Sequence, residues 1–267
     1  MHRVLSTIVR TATVLCVVSV AAHAQLRTVT VTVTNLAAPN AVSFAATQLG
    51  FHRGAFDSFN IGQAATAGII SVAEPGTGGQ WQADFAAADP TATRGAIAGG
   101  ALLPGQSRSS SFIVDAGLNR FFTFAAMVVP SNDFFIGNDN PMQYRMFDDA
   151  GNLLITRISQ RYSQIWDAGS EVFDPLNAAF VAGGNSANRT PQNGVVSFDF
   201  LELSRFNGVT TTAGYVFTSG TTAANEIYRL DFTSSVNVVP EPSTVILMAS
   251  GLLMLGVAAR RRGARQA

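Results

Sequence analysis

The sequence contains no lysine; all 17 basic residues are arginine, set against 17 acids. It has one cysteine, Cys16, and three histidines, His2, His23 and His52. Cys16 falls in an N-terminal apolar run, so residues 25–238 hold no thiol. That stretch can form no disulfide, no thiolate metal site and no cysteine nucleophile. His2 and His23 also precede it, which leaves His52 as its one histidine. A multi-histidine zinc centre is thereby excluded, and a Ser-His-Asp triad could use only His52. Six arginines but only one acid lie at the two ends, leaving 11 arginines against 16 acids over 25–238. A body of net charge −5 lacks the positive field that binds phosphate backbones, so nucleic acid is not an expected partner.

The two ends carry targeting patterns. Arg3 and Arg10 form a positive start, residues 11–22 are uncharged, and Ala22-His23-Ala24 is a small-x-small site before Gln25. These are the three parts of a secretory signal peptide, expected at 1–24 with cleavage after Ala24. Leu15 before Cys16 does not fit a lipoprotein signal. At the other end, residues 244–259 carry no charge and Arg260, Arg261 and Arg262 follow at once. As a helix this hydrophobic segment reaches about 24 Å at ~1.5 Å per residue, a marginal membrane span. Its arginines should stay cytoplasmic, placing the bulk of the chain outside. The preceding Val239-Pro240-Glu241-Pro242-Ser243 is stiff and suits neither helix nor central strand.

The Pro-Glu-Pro triplet, the apolar segment and the arginine end together resemble the PEP-CTERM sorting signal, over 239–267. The resemblance implies an exosortase-type processing protease as partner. It also implies a Gram-negative bacterium that makes a matrix, and destination in the cell envelope, the outer surface or the extracellular matrix. Membrane attachment through the C-terminal helix would precede cleavage near Pro240–Pro242.

Residues 25–238 read as one β-rich domain. Over 27–34, Val29, Val31 and Val33 alternate with Thr28, Thr30, Thr32 and Thr34, a period-two pattern of β-branched residues. Further strands are expected at 112–114, 121–129, 144–147, 153–158, 195–203, 214–218 and 226–232. Most are bounded by Gly, Asn, Asp or Pro clusters. Helical period is weak: 62–73 suits one short helix, and the Ala-rich 85–100 suits helix or loop. The fold class expected is an all-β antiparallel sandwich, with Val29, Val31 and Val33 facing its core.

Three segments, LGFHRGAFDSFNIGQAATAGIISVAE at 49–74, TFAAMVVPSNDFFIG at 123–137 and WDAGSE at 166–171, in this order resemble the spondin domain. That adhesive module occurs in exported proteins, and the resemblance spans roughly 26–235. It implies a C2-like sandwich with a calcium ion at one end. Matched position by position, it implies Asp133, Asp167 and Glu171 as the metal carboxylates. Glu171 stands where relatives usually have Asp.

Read without the resemblance, three loop carboxylates suit calcium better than magnesium, which holds to stricter octahedral geometry. The same residues also read more plainly, Asp167 as the start of an Asx turn and Asp133 as a solvated loop acid. His52 could pair with Asp57 as a base, but no activated-serine motif accompanies it. Asp167 and Glu171 sit too close in sequence for a typical glycosidase pair, whose members usually come from separate elements. The functional expectation is therefore a non-enzymatic, surface-displayed, spondin-like module, stiffened by calcium, binding extracellular polysaccharide or a surface protein. The alternative is an envelope hydrolase acting on polysaccharide.

Overall fold

The computed structural model describes residues 25–219, 222–237 and 251–252. The expected signal peptide, 1–24, and most of the expected tail, including its helix at 244–259, lie outside them. Among the described residues no helix is long and apolar enough to cross a membrane.

The chain runs β1 (Leu26–Asn35), β2 (Ser43–Phe44), β3 (Thr47–His52), α1 (Ala67–Ala73), α2 (Gly79–Ala88), β4 (Thr93–Ile97), β5 (Ser107–Asp115) and β6 (Phe121–Val129). It continues β7 (Phe134–Gly137), β8 (Tyr144–Arg145), β9 (Arg157–Arg161), β10 (Trp166–Asp167), β11 (Ser197–Phe198) and β12 (Glu226–Val236). Two antiparallel sheets result. The smaller is ordered β5-β1-β12-β9; the larger is ordered β11-β10-β7-β6-β3-β4, with β2 and β8 on β6.

The alternation over 27–34 does what its period requires. Val29, Val31 and Val33 are buried, while Thr30 and Thr32 face outward and bond to Ser111 and Ser109 of β5, each at 2.8 Å. The register Val29↔Phe112 and Val31↔Phe232 ties β1 to both neighbours. Its valines meet Phe51, Phe122 and Phe124 of the larger sheet in one core. Phe122 and Phe232 cross between the sheets edge to face at 5.1 Å, and Tyr228 meets Phe44 at 4.6 Å. The fold is thus the expected all-β sandwich.

β6 shows why its sequence does not alternate. Phe122, Phe124, Ala126 and Val128 face the inter-sheet core, while Ala125 faces a second cluster under the two helices. A strand covered on both faces reads as a continuous apolar run. In that second cluster Trp81 and Phe85 of α2 and Ile69 and Val72 of α1 pack with Phe135 and Trp166. Thr66 caps α1, accepting from the Ile69 amide at 3.1 Å. Gly50 lets α2 approach β3: a Cβ there would lie 2.2 Å from the Phe85 ring.

Several expectations shift. The short helix within 62–73 forms at 67–73, but 85–100 divides into the end of α2 and edge strand β4. The expected strand at 153–158 begins only at Arg157, and 195–203 is a two-residue strand followed by a 3₁₀ helix, Phe200–Phe206. At 214–218 the only ladder contact is a single bridge, Thr210 with Val216.

Candidate metal centre

One end of the larger sheet gathers acids from separate parts of the chain. Asp133 ends the Pro130-Ser131-Asn132 loop between β6 and β7. Ser131 fastens that loop, its Oγ donating to the Val128 carbonyl at 2.6 Å and accepting from the Phe134 amide at 3.0 Å. β7 pairs with β10, Phe134 opposite Asp167, so Asp133 arrives beside the turn that follows β10. The Ala168 amide donates to the Asp133 carbonyl at 3.2 Å.

The turn then wraps the Asp133 side chain. Asp133 Oδ2 accepts from the amides of Ser170 and Glu171 at 2.7 and 2.9 Å, and from Ser170 Oγ at 3.2 Å. Its other oxygen, Oδ1, accepts no hydrogen bond among the described residues. Asp167 Oδ1 accepts from the Gly169 amide at 2.6 Å, the Asx turn its sequence allows, with Gly169 at a φ of 62°. Glu171 Oε1 accepts from Asn132 Nδ2 at 2.7 Å, a further link between the two loops. Arg189 bonds Glu74 at the end of α1 and the Ser170 carbonyl, and its Nε lies 3.9 Å from Glu171 Oε2.

Asp133 and Glu171 are thus tied into the same pair of loops, and the Asp133 charge acts on Asp167, but the expected trio of Asp133, Asp167 and Glu171 is not among the carboxylate groups that close to within 4.8 Å among the described residues. The tightest carboxylate group is a different trio. Oxygens of Asp167, Asp199 and Glu202 lie within 4.8 Å of one another. Two elements bring Asp199 and Glu202 there. β11 pairs with β10, Asp167 opposite Ser197, which sets Asp199 just beyond the edge strand. Asp199 then caps the 3₁₀ helix, accepting from the Glu202 amide at 3.3 Å. Glu202 also pairs with Arg205, whose guanidinium lies over the Phe173 ring at 3.4 Å. A cavity of about 10 Å³, room for one water-sized sphere, is walled by Asn132, Asp133, Glu171 and Glu202 among others. Sequence reading missed Asp199 and Glu202. The one available signal was an acid pair three apart opening a helix-like stretch, which reads equally as an ordinary N-cap.

The electrostatics follow from crowding in a desolvated end. Burial first, then the Asp133 charge, pushes Asp167 up to about 7. Burial also raises Glu171 to about 7, opposed by the Asn132 hydrogen bond. Asp133 and Glu202 are raised as well, chiefly by burial. Asp167, Asp199 and Glu202 offer hard oxygen donors close enough together to hold a hard cation.

His52 stands apart from this end. It is fully buried, with Nε2 3.0 Å from Thr123 Oγ1 and Nδ1 accepting from the Gly54 amide at 3.1 Å. The acceptor role of Nδ1 assigns the neutral ring's proton to Nε2. Burial holds its pKa down at about 4. Asp57 is spent on Asn60, at 3.0 Å.

Compared with known proteins, residues 238–262 match the PEP-CTERM protein-sorting motif. The match agrees with the expected tail and identifies an exported protein sorted by exosortase to the cell surface. No curated protein matches the chain.

Proposed function

We propose that the chain is a non-enzymatic, spondin-like binding module of the cell surface or matrix, with a structural calcium ion at its acidic end. The observation that carries this reading is the meeting of two loops, 130–133 and 167–171, around one buried carboxylate. Asp167, Asp199 and Glu202 would hold the ion, and Asp133 would fix the turn that carries Asp167. Glu171 lines the adjoining cavity and braces the turn against Asn132. Calcium bound there would neutralise charges that otherwise repel and would fix the turn and the 3₁₀ helix against each other. Its partner would be an extracellular polysaccharide or a surface protein.

Melting of the full chain in detergent, with calcium or with chelator, tests the metal. Binding to the folded state alone adds roughly 2.7 kcal/mol at a hundredfold excess over the dissociation constant. The expected result is a calcium-dependent rise in Tm. An identical Tm in millimolar calcium and in chelator would overturn the calcium site.

A further inference from the structure

The turn at 167–171 walls two cavities. Glu171 faces the small acidic one, while Ala168, Gly169 and Ser170 line a second cleft of about 250 Å³. One wall of this cleft is Ala64, Ala65 and Ile70, at the start of α1; the facing wall includes Gln192 and Asn193. Among the described residues no charged side chain lines it.

The cleft is built into the backbone. The Gly194 amide donates to Gly169 O at 2.8 Å, the Gln192 amide to Ser170 O at 2.9 Å, and the Val196 amide to Gln63 O at 2.8 Å. Glycine is required where its walls meet: a Cβ on Gly169 would lie 2.8 Å from the Val195 backbone, and one on Gly194 2.9 Å from Gly169 O. The side-chain amides of Gln192 and Asn193 are exposed and make no hydrogen bond among the described residues. Each offers a donor and an acceptor, the complement of a vicinal pair of hydroxyls. The small apolar wall opposite suits the C–H face of a ring. Neither an anionic nor a cationic ligand would find an opposite charge among the lining side chains. The volume falls below the ~300–1,000 Å³ of pockets for drug-sized ligands, which points to a small ring with its hydroxyls.

We infer that this cleft binds a neutral glycosyl unit of a polysaccharide chain. The inference deepens the binding-module reading, since it names a ligand class, and it does not depend on the metal. Calorimetric titration of the full chain in detergent with neutral glucan, mannan and galactan hexasaccharides tests it, with a hexasaccharide of uronic acid as control. At least one neutral member should bind and the uronate should not. Gln192→Ala with Asn193→Ala should weaken binding roughly tenfold with Tm unchanged, from loss of the amide hydrogen bonds. Ala65→Trp, which fills the cleft from an only partly buried position, should abolish binding. No binding of any neutral member, equal binding of the uronate, or wild-type affinity in both variants would overturn the inference. Melting with and without calcium, run on the same samples, reports separately on the metal site.

Discussion

Along β1 every second side chain is a buried valine, and the threonines between them bond across to β5 serines. Around Asp133, by contrast, five acids from the 133, 167–171 and 199–202 segments share one desolvated end, and four of them are pushed above their ordinary titration range. The first region is stabilised by apolar burial, which depends on neither protons nor ions. The second works against stability at neutral pH, because backbone amides hold mutually repelling charges together. A fold that keeps such an end has separated the part that holds it together from the part that responds to solution conditions.

The severest break in that comparison is Val31→Asp. It would bury an unpaired charge between β5 and β12, opposite Phe232. The cost expected is about 4 kcal/mol or more, enough to prevent folding or to move the urea midpoint far below wild type. A variant that melts like wild type, with or without calcium, would show that β1 does not face the core.

The acidic end should answer pH with a sign opposite to that of a buried group outside both regions, His52 of β3. Its folded pKa, about 4, lies below the ordinary 6.5, so its neutral form is favoured by folding. Its contribution is complete above 6.5 and is lost as pH falls toward 4, on the order of 3 kcal/mol in all. Asp167 is the reverse. Its folded value, about 7, lies above the ordinary 3.8, so the folded state holds the extra proton. That contribution is complete below 3.8 and is lost as pH rises through 7. In chelator, therefore, Tm should decline from about pH 5 to about pH 8, and calcium should flatten the decline by replacing the proton. Asp167→Asn should remove its own share of the decline and most of the calcium response, while leaving the share that Glu171 contributes and the acid limb of His52. A calcium-free profile that is flat over the same range would contradict the crowded, desolvated end.

How much of this could be read from the chain depends on how local each feature is. The valines of β1 were legible because period two places them on one face whatever their partners are. The long apolar run of β6 was legible as a strand, and α1 as the short helix within 62–73, but α2 was not, since its Ala-rich sequence has little amphipathic contrast. The nearness of Asp133 to the 167–171 turn entered through resemblance alone. Spacing shows neither that β7 pairs with β10 nor the register that sets Phe134 opposite Asp167. Asp199 and Glu202 were least legible. Their position depends on β11, two residues long, and on a 3₁₀ helix, neither of which has a sequence period. Arg189 reaches Glu74 over 115 residues, and no local pattern announces such a pair.

The finest test separates the two carboxylates that border the small cavity. Glu171 is already engaged: Oε1 takes the Asn132 amide and Oε2 faces Arg189 at 3.9 Å. Glu202 lies with Asp167 and Asp199 within 4.8 Å, and its protein partner is the half-exposed Arg205. Glu171→Gln keeps an acceptor for Asn132 while removing a repelling charge, so stability without calcium should change by no more than about 1 kcal/mol. Its calcium-induced rise in Tm should survive. Glu202→Gln removes a charge from the trio, so the rise should shrink, by the equivalent of about tenfold in calcium affinity. Calcium titrations followed by melting would read both variants in one experiment. If Glu171→Gln loses the response and Glu202→Gln keeps it, the ion sits with Asp133, Asp167 and Glu171, the set the spondin resemblance implies. The 3₁₀ helix would then be a neighbour of the site and no part of it.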